Sequence, residues 1–369
     1  MDEKTNYGIV DPLNVLRVVA ALCVFFLHTT IFTDVSFFAE RDATFIFRTP
    51  AWAGVWIFMF LSGYFAGKGF ISGKYSLSVR GFLQYYKRRF VKIIFPTFCF
   101  IFFCVTVIQP DFVPNNPDFL PKVLTFMYRG KPDFSAMGAT WYVFLLFWFY
   151  LLAPFAAFLL NKCCKSVYIL LVCIFTVGGF AFRLLALKYK LPWSQDVYLS
   201  LYGNADLFFS GMCWSYASKN KKVLKHSLSA VLKICAGVLF AALIIVNCYI
   251  YNQGSLGDTA LLNLYQYYFP TAYILLLIFY VYVFDNGRGK AVRSVKRLAE
   301  NPLHIIDWLS SISFEFYLLH SLVLWKISGW FTLKDPLSAY LWLALTGAII
   351  TIILSVGFHR IFKTKETKQ

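Results

Sequence analysis

PLNVLRVVAALCVFFLHTTIFT, residues 12–33, decides the class of fold. A helix of about 20 apolar residues crosses roughly 30 Å of hydrocarbon, and this run is long enough to do so. It opens on Pro12, tolerated where a helix begins because no N–H is needed there. Two ionisable residues stand inside it, Arg17 and His28. Eleven residues at about 100° each make three turns and roughly 20°, so both side chains leave one face. At about 1.5 Å of rise per residue they sit roughly 16 Å apart along the axis. Ionisable groups in a span are costly and face a cavity or a partner. Taken singly, Arg17 reads as a snorkelling side chain and His28 as an interhelical hydrogen bond. Their shared face favours one continuous polar track.

Nine further apolar stretches come after it, at about 51–71, 91–109, 139–160, 167–187, 199–217, 232–251, 268–285, 306–327 and 338–361. Hydrophobic residues make up 59% of the chain and charged ones 14%, too much apolar surface for a water-soluble fold of this length to cover. The reading is all-α: a polytopic membrane helix bundle of about ten transmembrane helices, forming a single domain over 1–369. The net charge of +17 falls mainly between the apolar runs, so it reads as orientation signal rather than as a nucleic-acid surface. With the N-terminus inside, the inner segments collect 24 Lys and Arg and the outer ones ten, which predicts both termini in the cytoplasm. No small-residue cleavage site comes after the first run, so it reads as a retained helix and not a signal peptide.

The nine cysteines form no C-x-x-C pattern and no Cys/His cluster, so neither a disulfide framework nor a metal site is expected. The absence of an N-x-S/T sequon agrees with a bacterial source. The longest outer segment, 109–138, carries Pro110, Pro114, Pro117, Pro121 and Pro132. It reads either as a plain connector or as a lid over an outward-facing site.

Three motifs stand in order: Arg17, ten residues and His28; then Phe58-Met59-Phe60-Leu61-Ser62-Gly63; then the basic run Lys87-Arg88-Arg89-Phe90-Val91-Lys92-Ile93 leading to Pro96. Ser-Gly in an apolar helix permits close backbone approach. The basic run fits anionic lipid headgroups or a polyphosphate. Farther on stand Trp141-Tyr142 and Ser311-Ile312-Ser313-Phe314-Glu315-Phe316-Tyr317-Leu318-Leu319-His320. This ordered set resembles the membrane-bound acyltransferase 3 family over roughly residues 11–360. Lys92 stands where many relatives have Arg, which weakens a bidentate phosphate contact there.

The resemblance implies a multi-pass enzyme of the bacterial plasma membrane. Such an enzyme moves an acyl group, usually acetyl, from cytoplasmic acyl-coenzyme A to a hydroxyl of an extracytoplasmic or lipid-linked glycan. It implies His28 as the catalytic base, Arg17 as a donor-site cation and Arg88, Arg89 and Lys92 as further donor contacts. Acetyl-coenzyme A would be a substrate, with no permanently bound cofactor. Ser62, Trp141 and Tyr142 are candidate oxyanion donors, and Glu315 and His320 further candidates near the substrate. Glu315 and Asp206 are the acidic residues well inside spans, each equally readable as a partner of His28 or as a structural group. A glycan or lipid transporter is the alternative; transporters commonly show repeated halves, and no repeat is present.

Overall fold

A computed structural model describes residues 11–33, 51–128, 135–219, 226–255, 257–284, 304–330 and 335–362. Of the positive residues behind the predicted orientation, the inner Lys4, Lys221, Lys222, Lys225, Arg288, Lys290, Arg293, Lys296, Arg297, Lys363, Lys365 and Lys368 and the outer Arg41, Arg48, Arg129, Lys131 and Lys334 lie outside the described residues. The described chain is helical, with no strand. In order the helices are α1 (Pro12–Ile31), α2 (Ala51–Ile71), α3 (Val79–Arg89), α4 (Phe95–Phe103), α5 (Phe112–Asn115), α6 (Phe119–Leu124), α7 (Trp141–Leu160), α8 (Lys165–Lys188), α9 (Leu201–Ala217), α10 (His226–Ser255), α11 (Thr259–Asn263), α12 (Phe269–Phe284), α13 (His304–Ser311), α14 (Ser313–Ser328) and α15 (Pro336–Phe362).

Eight helical segments among the described residues are long and apolar enough to cross a membrane. The other two predicted spans take different forms. The 199–217 stretch is α9, 17 residues long, or about 26 Å at the helical rise. The 306–327 stretch is broken at Ile312 into α13 and α14. Both regions are enclosed by other helices: α9 buries Asn204, Asp206 and Ser210, and α14 buries Glu315 and His320. A helix surrounded by protein finds partners for polar groups that a lipid-facing helix could not satisfy. By contrast α8 and α15 leave Ile174, Val177, Leu345 and Ile349 exposed, as an apolar solvent permits.

The tightest packing joins α2 to α9. A Cβ on Gly63 would strike the Phe208 backbone, and one on Gly211 would strike the Phe60 carbonyl. Two glycines, one from each helix, thus set the approach that the Ser62-Gly63 pair suggested. Helix α3 runs into α4 through a π-helical turn, Phe90–Ile94. Pro96 has no N–H to offer the Lys92 carbonyl, and the widened turn absorbs that loss.

Helices α1 and α14 run side by side in the same direction. Near the start of α1, Asn14 Nδ2 donates to Asp307 Oδ1 of α13 at 2.8 Å, and Ser310 Oγ donates to Asn14 Oδ1 at 2.9 Å. Asp11 caps α1 by accepting from the Leu13 amide at 2.9 Å. The described part of the outer segment is packed structure. Phe119, Val123 and Tyr128 bury against Phe144 of α7 and Leu318 of α14, and Trp148 Nε1 donates to the Phe126 carbonyl at 3.1 Å.

Candidate active site

His28 is in the last turn of α1 and meets α14. Its Nδ1 lies 2.5 Å from Nε2 of His320, and the two rings meet edge to edge, centroids 4.8 Å apart and planes 19° from parallel. His320 is 1% exposed. Its other ring nitrogen, Nδ1, lies 2.6 Å from the Tyr317 carbonyl oxygen. Ser321 Oγ completes the group, 3.4 Å from His28 Nδ1 and 3.3 Å from His320 Nε2. Phe25 and Phe316 wall the His320 ring with apolar surface.

Hydroxyls lead away from the histidines toward α2 and α7. The Tyr317 hydroxyl donates to the Ala139 carbonyl at 2.9 Å, and its ring lies 5.5 Å from that of Tyr142. Tyr142 Oη and Ser62 Oγ are 3.5 Å apart. Ser62 and Tyr142 therefore converge on the Tyr317 side of the histidine pair. Trp141 turns away from them, packing on Tyr198 with centroids 4.8 Å apart. Tyr198 in turn joins Trp52 and Trp193. Neighbours in sequence on a helix point about 100° apart, so Trp141 and Tyr142 serve different surroundings.

Toward the N-terminal end of α1 the character changes. The Arg17 guanidinium lies over the Phe65 ring, 4.2 Å from its centroid. Arg89 lies over Tyr150 at 4.6 Å and Tyr85 at 5.2 Å, within electrostatic range of Arg17. Arg88 faces Tyr75 at 5.6 Å, while Lys92 is exposed. Among the described residues neither Arg17 nor Arg89 has a carboxylate within ion-pair distance. Aromatic faces hold the two guanidiniums by cation–π attraction, and Asp11, beyond ion-pair distance, acts on Arg17 electrostatically.

The two acidic candidates for His28 are engaged elsewhere. Glu315 Oε1 lies 2.7 Å from His359 Nδ1 of α15; five residues before His320, it leaves α14 on a different face. Asp206 pairs with Arg183 at 2.5 Å, side chains 2% and 0% exposed. Sequence reasoning missed Ser321 as a neighbour of the histidines, Tyr150 as the platform for Arg89, and Arg183 as the partner of Asp206. An intramembrane Arg and Asp were a visible pairing signal; the Tyr150 contact had none. Among the described residues no three His, Cys, Asp or Glu side chains are grouped to hold a metal ion.

An enclosed histidine pair among helices that cross a membrane, with arginines held on aromatic faces of the same bundle, defines a multi-pass membrane protein with two imidazoles at one end of α1 and cations at the other. A profile describing an acyltransferase domain matches residues 11–360, essentially the whole chain, and the chain belongs to the acyltransferase 3 family. Membership implies acyltransferase activity. No curated protein and no solved structure matches it.

Proposed function

We propose that this protein moves an acetyl group from cytoplasmic acetyl-coenzyme A to a hydroxyl of an extracytoplasmic or lipid-linked glycan, working in a bacterial plasma membrane. The observation that carries the reading is the placement of charge on α1: Arg17 at one end, beside Arg89 and with no carboxylate within ion-pair distance, and His28 at the other. Coenzyme A has a matching shape, an anionic nucleotide and a long, thin, uncharged arm ending in the thioester. The roughly 16 Å between Arg17 and His28, from the helical rise, is a length such an arm can span. Arg17 and Arg89, with Arg88 beside them, hold the phosphates; Lys92, exposed, serves as a peripheral charge.

The chemistry rests on the free nitrogen of His28. His28 Nε2 takes the proton of the acceptor hydroxyl as that oxygen bonds to the thioester carbon. The carbonyl oxygen gains charge, and the Tyr142 and Ser62 hydroxyls supply donors for it. The carbon–sulfur bond then breaks, and His28 returns its proton to the departing thiolate. The products are an O-acyl ester and free coenzyme A.

The test uses purified full-length protein, labelled acetyl-coenzyme A and a crude glycan-lipid extract as acceptor. Wild type is expected to transfer label and His28→Ala to lose at least about 100-fold, the scale of general base catalysis. Turnover that survives His28→Ala unchanged refutes the assignment.

A further inference from the structure

We infer that His320 is the positioning residue of the reaction: it fixes His28 in the one tautomer whose Nε2 is bare and turned away from the pair. The kinetic consequence rests on the acyl-transfer reading above; the proton placement does not.

Four ring nitrogens share the protons of the pair. The Tyr317 carbonyl can only accept, so His320 Nδ1, 2.6 Å away, must carry a hydrogen. A neutral imidazole holds one N–H, so His320 Nε2 is then a bare acceptor. His28 Nδ1 lies 2.5 Å from that acceptor, and two bare nitrogens at this distance would repel. His28 Nδ1 therefore carries its ring's hydrogen and donates it, which leaves His28 Nε2 with a free lone pair. Only one proton fits between the two rings, so the pair takes up one further proton, at His28 Nε2, and not two.

Catalytic imidazoles are commonly oriented by a carboxylate behind them. Here the two acidic candidates are spoken for: Glu315 is on His359 and Asp206 on Arg183. A second imidazole, itself anchored to a backbone carbonyl of its own helix, does the same orienting work without placing a negative charge in the span. Ser321 Oγ, 3.4 Å from His28 Nδ1, can accept a second, weaker share of the same N–H. The Tyr317 ring and hydroxyl are in turn fixed by the bond to Ala139, so the chain of supports ends in backbone.

Two variants and one spectrum test this. His320→Phe keeps a planar ring but removes the acceptor; His320→Gln restores an acceptor near the Nε2 position. The expectation for His320→Phe is a fall in kcat of about 100- to 1000-fold, the cost of a misplaced tautomer and base, with the KM for acetyl-coenzyme A within about twofold. His320→Gln is expected to recover to within about tenfold of wild type. Nitrogen-15 NMR of histidine-labelled protein, with His28→Ala identifying the signal among five histidines, is expected to show His28 protonated at Nδ1 and bare at Nε2. In His320→Phe that signal should revert to the Nε2–H form. A wild-type His28 protonated at Nε2 overturns the inference, as does an equal loss of kcat in both variants with the tautomer unmoved. If His320→Phe does not fold, the His320→Gln kinetics and the wild-type spectrum still decide. A correct tautomer in a protein that transfers nothing from any acyl-coenzyme A would retire the proposed function and leave the histidine pair standing.

Discussion

Removing one member of the Arg183–Asp206 pair should destabilise the bundle, whereas removing both should not. Both side chains are all but excluded from solvent, 0% and 2% exposed. Arg183 reaches Asp206 Oδ2, the Gly203 carbonyl and the Thr271 hydroxyl, joining α8, α9 and α12. Truncating one partner strands the other as an unpaired buried charge, which costs about 3–5 kcal/mol. The pair is not fully satisfied, since Asp206 Oδ1 and Arg183 Nε have no hydrogen-bond partner. Replacing both by apolar groups of similar volume leaves no stranded charge and therefore recovers most of the loss. The perturbations are Arg183→Met, Asp206→Leu and the double variant, unfolded by denaturing detergent. A thiol-reactive dye supplies the readout, because Cys23, Cys104, Cys213 and Cys248 are buried and free. Each single variant should lose about 3–5 kcal/mol, and the double should lie near wild type. Additive losses in the double variant would refute the pairing argument. A well-folded Asp206→Leu protein with no transfer activity would refute the structural assignment of Asp206 and return it to the active site.

Three further outcomes are expected. Gly63→Leu forces a side chain into the Phe208 backbone and should cost at least about 1–3 kcal/mol in the same unfolding assay; a variant as stable as wild type would mean α2 and α9 do not pack this closely. Asn14→Ala leaves Asp307 and Ser310 without this partner and should cost about 1–3 kcal/mol, with the KM for acetyl-coenzyme A unchanged if the contact only ties α13 to α1. Arg17→Lys keeps the charge but loses the planar fork over Phe65, and should raise that KM about tenfold with little change in kcat; an unchanged KM would mean that Arg17 does not meet the donor.

The sequence alone determined the solvent, the element type and the first helix. Runs of about 20 apolar residues admit helices and little else in lipid, and the eleven-residue spacing of Arg17 and His28 fixes a shared face by helical geometry. The glycine at 63 was legible because a Ser-Gly pair in an apolar helix permits close backbone approach. Partner choice was not legible. His28 and His320 are 292 positions apart, Glu315 reaches His359 rather than the site, and Trp141 and Tyr142 part company one residue from each other. Helical periodicity gives the direction in which a side chain leaves its own axis. It carries nothing about which neighbouring helix stands there, or about a break such as the one at Ile312 that re-aims every later side chain of the span. Those depend on how the whole bundle packs. The tertiary structure alone therefore put an imidazole, and not a carboxylate, behind His28.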